Sequence, residues 1–161
     1  MACLIRSEER AGAVLEDEDR YGLTERLVDS LHTEAMVLTD EARAYFDDMG
    51  RAEREQLPAQ DRVLFACESL KVTTRLMHVI AWLLSRRVMG VRDGTQPMQP
   101  LADPIASSEA EIAPLPPGAQ HLIRATFDLQ ERVRRLEAEM LRGSIGGSPA
   151  RSLLGQLERA L

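Results

Sequence analysis

The sequence predicts an all-α protein: a three-helix bundle with a disordered N-terminal arm, a long proline-rich linker before the third helix, and a flexible C-terminal tail. Three observations point there. In three long stretches apolar side chains recur at alternating intervals of three and four residues, the spacing that gathers them on one helical face. No stretch alternates with the period of two that a half-buried strand requires. The helix breakers are unevenly placed: six of the eight prolines fall between Pro97 and Pro117, and seven of the ten glycines lie at or after Gly90.

Residues 1–22 carry three arginines against six acids, including the run Glu16-Asp17-Glu18-Asp19, and are too polar to build a core of their own. A disordered acidic arm is expected. The bundle is expected over 23–142, with its first helix at about 24–49. There Leu31, Ala35, Leu38, Ala42, Tyr45 and Met49 form one stripe, Thr24 or Asp29 stands as an N-cap, and Gly50 stands where a left-handed C-cap belongs. After a short turn, Pro58 suits the first turn of a second helix, at about 59–89, because its missing N–H would be unpaired there in any case.

The second helix keeps the same rhythm in Val63, Cys67, Leu70, Thr74, Met77, Ala81, Leu84 and Val88, which the spacing assigns to its core stripe. Leu76, Val79, Ile80, Trp82 and Leu83 add a second apolar flank. The helix therefore needs two neighbours, or another subunit, and Leu76, Ile80 and Leu83 are the candidate dimer seam. Residues 90–118 are too long and proline-rich for a tight turn and read as a mobile linker. The third helix, at about 119–142, carries Leu122, Thr126, Leu129, Val133, Leu136 and Met140 on its stripe, with Arg132, Arg134 and Arg135 mostly off it. In the tail, 143–161, Leu153, Leu154, Leu157 and Leu161 line one face of a short helix too small to hold alone. It is either a docking segment or a piece that folds back on the bundle.

The chain has 161 residues and a net charge of −6. Its size fits one small domain. No window approaches the roughly 18 uninterrupted apolar residues of a membrane span, and the first residues lack a signal-peptide core, so a cytoplasmic protein is expected. The acidic balance speaks against a nucleic-acid partner, which would ask for concentrated Lys and Arg. Cys3 and Cys67 suggest neither a disulfide framework nor a zinc site, and Cys67 reads as a small buried apolar residue.

No chemistry assembles from the motifs. His32, His78 and His121 fall on three different helices, and there is no glycine-rich phosphate loop, zinc-protease motif or calcium loop. The reading is of no enzyme and no cofactor. Among charged residues, Glu34 and Glu41 stand seven apart on the first helix and Glu68 and Arg75 seven apart on the second. A helical hairpin turning near Arg54 would set Glu34 against Arg75 as a register-fixing ion pair. Thr73 and Thr74, mid-helix, either bond back to the preceding turn or line a polar patch beside Arg75.

The strings Glu34-Ala35-Met36, Glu41 to Asp47 with Arg43 and Tyr45, Leu57-Pro58, Glu68 to Met77, and Ala81-Trp82-Leu83-Leu84 together resemble the RcdA family, regulators of CtrA degradation in alphaproteobacteria. The resemblance covers about residues 23 to 90. It implies a non-enzymatic, homodimeric adaptor that delivers substrates, including CtrA, to the ClpXP protease. It further implies priming by CpdR, help from PopA, and a place in the cytoplasm, the cell pole included. The candidate partner-binding or bundle-seam residues are then Glu34, Glu41, Arg43, Tyr45, Glu68, Thr73, Thr74 and Arg75. The alternative is a structural scaffold, or a sequestering helical protein that makes no protease contact.

Overall fold

The computed structural model describes the backbone of residues 2–89 and 99–145 and the side chains of 22–88 and 99–142. The order is α1 (Ala2–Ala44), α2 (Arg51–Gln56), α3 (Ala59–Met89), α4 (Glu109–Ile112) and α5 (Pro117–Ile145). No strand occurs among the described residues. No helix among them is long and apolar enough to cross a membrane.

α1 starts at Ala2, where the sequence reading placed a disordered arm. The segment holds Ala, Leu, Glu and Arg and no proline, and extending an existing helix avoids the cost of nucleating one. Neither Thr24 nor Asp29 is therefore a cap. At its far end the helix widens over Tyr45–Met49, where the Gly50 N–H reaches back five residues to the Tyr45 carbonyl at 2.7 Å. Gly50 has φ −80°, an ordinary right-handed value, so the expected left-handed cap does not form. What calls for glycine there is space: a Cβ would sit 2.9 Å from the Tyr45 carbonyl oxygen and 3.1 Å from the Phe65 ring. Tyr45, Phe46 and Phe65 form an aromatic cluster at this end of the bundle, with Phe46 edge-on to both of the others.

Three pairings set the topology. Asp29 meets Arg87 at 2.8 Å, so α1 and α3 run antiparallel. Glu34 accepts from Arg132 at 2.8 Å, and Tyr45 lies against Gly118, so α1 and α5 are also antiparallel. Arg75 reaches Thr126, and Arg86 feels Glu137, so α3 and α5 are parallel. Parallel neighbours demand a crossover that travels back along the bundle, here roughly 35 Å at 1.5 Å per helical residue. That requirement explains why the connection is long.

The described part of the crossover, from residue 99 on, is packed and not a mobile linker: Leu101, Ile112 and Leu115 are buried in the core. Ser108 opens α4 with a capping box, its hydroxyl accepting from the Glu111 N–H while the Glu111 carboxylate accepts from the Ser108 N–H. The core is completed by Leu31, Ala35, Leu38 and Ala42 from α1 and by Leu122, Leu129, Val133 and Leu136 from α5, as the stripes of those helices predict; Val28 and Ile123 join them from beside the stripes, and Met49, on the α1 stripe, is exposed. α5 passes through Gly143 to Ile145, beyond the expected end.

α3 reverses its prediction. The buried residues are Phe65, Val72, Leu76, Val79, Trp82 and Leu83, while Val63, Leu70, Met77, Leu84 and Val88 face outward. Cys67 is exposed as well, not a core residue. Leu76 and Leu83 lie in the core and Ile80 packs half-buried against it, so the three-residue dimer seam is occupied by the chain's own helices.

Candidate interaction site: a buried polar seam beneath the crossover strap

A strap of irregular backbone laid across helices has no ladder partner, so its N–H and C=O groups must be met by side chains. The groove between α3 and α5 supplies them. At one end the Leu101 N–H donates to Glu137 Oε1 at 2.7 Å, and Gln130 Nε2 donates to the Ala102 carbonyl at 3.1 Å. Arg134 approaches Asp103 at 3.5 Å on the surface. At the other end Arg124 bonds Glu109, and Lys71 lies 3.6 Å from Glu111.

Arg75 is the centre of this seam and is fully buried. Its Nε donates to the Ile105 carbonyl at 3.2 Å, Nη1 to the Thr126 hydroxyl at 2.6 Å with the Ile123 carbonyl at 3.5 Å, and Nη2 to Ser107 at 2.9 Å and Glu68 Oε2 at 3.4 Å. The Phe127 ring lies 4.0 Å beneath the guanidinium carbon. All five guanidinium protons thus have an acceptor in range. Burial pushes the Arg75 guanidinium below its usual range, and the neighbouring Glu68 carboxylate pulls it back up.

Glu68, also buried, accepts from the Ser107 hydroxyl at 2.6 Å and from Lys71 Nζ at 2.7 Å. Its hydrogen bond raises the Lys71 ammonium above the usual value. One turn of strap is therefore held by an α3 ion pair seven residues apart, with an α5 hydroxyl closing the other side.

The expected Glu34 to Arg75 pair does not form. Glu34 takes a bidentate contact from Arg132 of α5, because α5 and not α3 lies beside that face of α1. Glu41 is exposed, and Arg43 makes only a surface pair with Asp47 at 3.8 Å. Tyr45 is half-buried; its hydroxyl donates to Glu53 at 2.6 Å, and burial together with that carboxylate pushes its pKa up to about 12. Thr73 and Thr74 bond back to the carbonyls of Ser69 and Leu70 and line no patch with Arg75. The structure thus brings Glu68 and Arg75 together and leaves Glu41, Arg43, Thr73 and Thr74 outside. Leu153, Leu154, Leu157 and Leu161 lie outside the described residues.

Sequence reasoning missed Ser107, Gln130 and Glu137, and placed Thr126 on the core stripe of the third helix without its polar role. Gln130 and Glu137 offered a signal, lying next to the core positions Leu129 and Leu136 on α5. The three histidines stay apart, His32 meeting only Arg87 at 3.3 Å. Among the described residues no cluster of His, Cys, Asp and Glu could hold a metal ion.

These features define a class by fold: an all-α bundle whose second and third long helices run parallel under a strapped crossover. The chain matches, over residues 20–161, the family described as "Protein of unknown function (DUF1465)". It is also similar to the crystal structure of RcdA from Caulobacter crescentus CB15, at 35% sequence identity over 71% of this chain and 90% of that one, with a TM-score of 0.54. The chain belongs to the RcdA family. No curated protein matches it.

Proposed function

We propose that this protein is a non-enzymatic adaptor that delivers substrates, including the cell-cycle regulator CtrA, to the ClpXP protease. It acts as a homodimer at the cell pole, in concert with CpdR and PopA. The supporting observation is the likeness to RcdA, which reaches 90% of that chain at 35% identity. The architecture is compatible with the role: the buried Glu68, Arg75, Gln130 and Glu137 hold the strap, and an apolar face of α3 stays open to solvent. An adaptor of this kind gains from effective concentration, since two weak contacts joined in one molecule bind far better than either alone.

The test is affinity capture of the tagged full chain from its host, with and without the priming regulator, read by mass spectrometry. Recovery of ClpX only with the primer supports the adaptor. Reproducible absence of ClpX, with a different stable partner enriched, would transfer the chain to the scaffold or sequestering class.

A further inference from the structure

The strap crosses the groove between α3 and α5 in two halves that are held very differently. Residues 105–111 are held by matched polar groups: Arg75 donates to Ile105 and Ser107, Ser107 donates to Glu68, and the Ser108 capping box closes on Glu111. Over residues 99–103 only Leu101 is buried. This half is held by the Leu101 N–H on Glu137, by the Ala102 carbonyl on Gln130, and by a fully exposed Asp103 lying 3.5 Å from Arg134. Four buried side-chain atoms have no hydrogen-bond partner among the described residues: His78 Nδ1, Trp82 Nε1, Arg86 Nε and Gln130 Oε1. All four belong beneath the 99–103 half. Lys71, Arg75, His78, Trp82 and Arg86 follow at intervals of four, three, four and four along one flank of α3, and the first two of them reach the strap. The pairings of Arg75 with Thr126 and of Arg86 with Glu137 share one parallel register, which sets Gln130 between His78 and Trp82 in height. Trp82, Arg86 and Gln130 are only 5%, 8% and 2% exposed.

We propose that residues 99–103 form a latch that opens separately from the Arg75-anchored half and uncovers Trp82, Arg86 and Gln130. The open and closed states lie close together because closure gains and loses in the same place. Each buried polar group without a partner favours opening by about 5–150-fold, since opening returns it to water. The burial of Leu101 and the two hydrogen bonds beside it favour closure by factors of the same order. In the other half the sign is different. Lifting Ile105 and Ser107 would strip Arg75 and Glu68 of partners inside the bundle, so opening stops before them. Pro104 stands at the boundary and has no N–H to tie it to either helix. Once open, the groove offers an indole N–H, a guanidinium and a carboxamide, beside the Glu137 carboxylate that holds strap backbone in the closed form. The latch sets how often that polar groove is accessible, and it does so whether or not the protein is an adaptor.

Trp82 is the single tryptophan of the chain, so its indole N–H is a built-in reporter. The experiment is hydrogen exchange by NMR on the full chain under native conditions, where protection measures local opening. After correction for intrinsic rates, the Trp82 indole and the Leu101 amide should exchange together, at least about a hundredfold faster than the Val79 and Leu83 amides in the core of α3. Protection of both equal to that of the core amides would overturn the latch. Leu101→Ala removes the one buried contact of residues 99–103 and should speed indole exchange at least about tenfold, with helicity by circular dichroism matching the parent. An unchanged rate would overturn the covering of Trp82 by these residues. Ser107→Ala, in the anchored half, should leave the indole rate within about twofold of the parent. A larger rise would show the strap lifting as one piece and overturn its division into halves. The measurement on the parent chain decides the proposal even where Leu101→Ala fails to fold.

Discussion

Replacing Arg75 with Met tests whether the buried polar seam holds the strap. The substitution keeps much of the volume and the contact with Phe127 but removes five donors from a site with no solvent exposure. Glu68 is left buried, with Lys71 and Ser107 as its remaining partners. Breaking a buried pair from one side costs about 3–5 kcal/mol, and the orphaned Ile105 carbonyl adds about 1 kcal/mol. Because Lys71 still reaches Glu68, the lower half of that range applies, and about 4 kcal/mol in total is expected. For a domain of this size that is a large part of the whole stability and on the order of a 10 °C fall in melting temperature. Urea unfolding followed by circular dichroism measures the loss. Limited proteolysis should show cleavage appearing first between residues 99 and 108. In a double-mutant cycle with Ser107→Ala, the two changes should couple by about 1 kcal/mol. A loss below about 1 kcal/mol with the strap still protected would refute the assignment of Arg75 as its anchor.

Leu83 and Leu84 are neighbours about 100° apart around α3, one buried and one 42% exposed. Leu83→Asp should unfold the chain or cost about 4 kcal/mol, while Leu84→Asp should keep its helical circular dichroism; equal effects would contradict the reversed orientation of α3. Gly118→Ala should destabilise by about 1–3 kcal/mol in thermal unfolding, because a Cβ there would lie 2.5 Å from the Tyr45 ring, and Tyr45→Ala should relieve most of that cost. The Tyr45 phenol ionises at about 12 in the folded chain against the usual 10, so its stabilising share is intact below pH 10 and is lost as pH rises from 10 to 12. Ultraviolet titration should show a step near pH 12 that Tyr45→Phe lacks, and loss of only a step near pH 10 in that variant would count against the Glu53 contact.

The all-α class, the three long helices and the core stripes of α1 and α5 were legible because each of those helices has one apolar face. α3 was not, because it has two. The more regular of its faces was read as core, while the true core face is interrupted by Glu68, Arg75 and Arg86, residue types that ordinarily mark solvent. Prolines concealed the strap in the same way. Pro100, Pro104 and Pro114 are exposed and shape an ordered crossover, while Pro116 is buried just before α5. Glu68 and Arg75 were recognised as a spaced pair. Their partners Ser107 and Thr126 could not be, since the contact spans 39 residues in one case and 51 in the other.

The polar interior and the apolar exterior of α3 have one origin in the topology. With α3 and α5 parallel, the crossover must return along their shared groove, and its backbone groups must be satisfied there. Arg75 from α3 and Gln130 and Glu137 from α5 meet that demand, and Glu68 pairs with Arg75 and the Ser107 hydroxyl, which places ionisable side chains on the face of α3 where aliphatic ones would otherwise sit. Structural necessity thus accounts for the charges inside the bundle, and it leaves the apolar stripe from Val63 to Val88 on the outward side of α3, bordered by Arg54 of α2 at its Val63–Leu70 end.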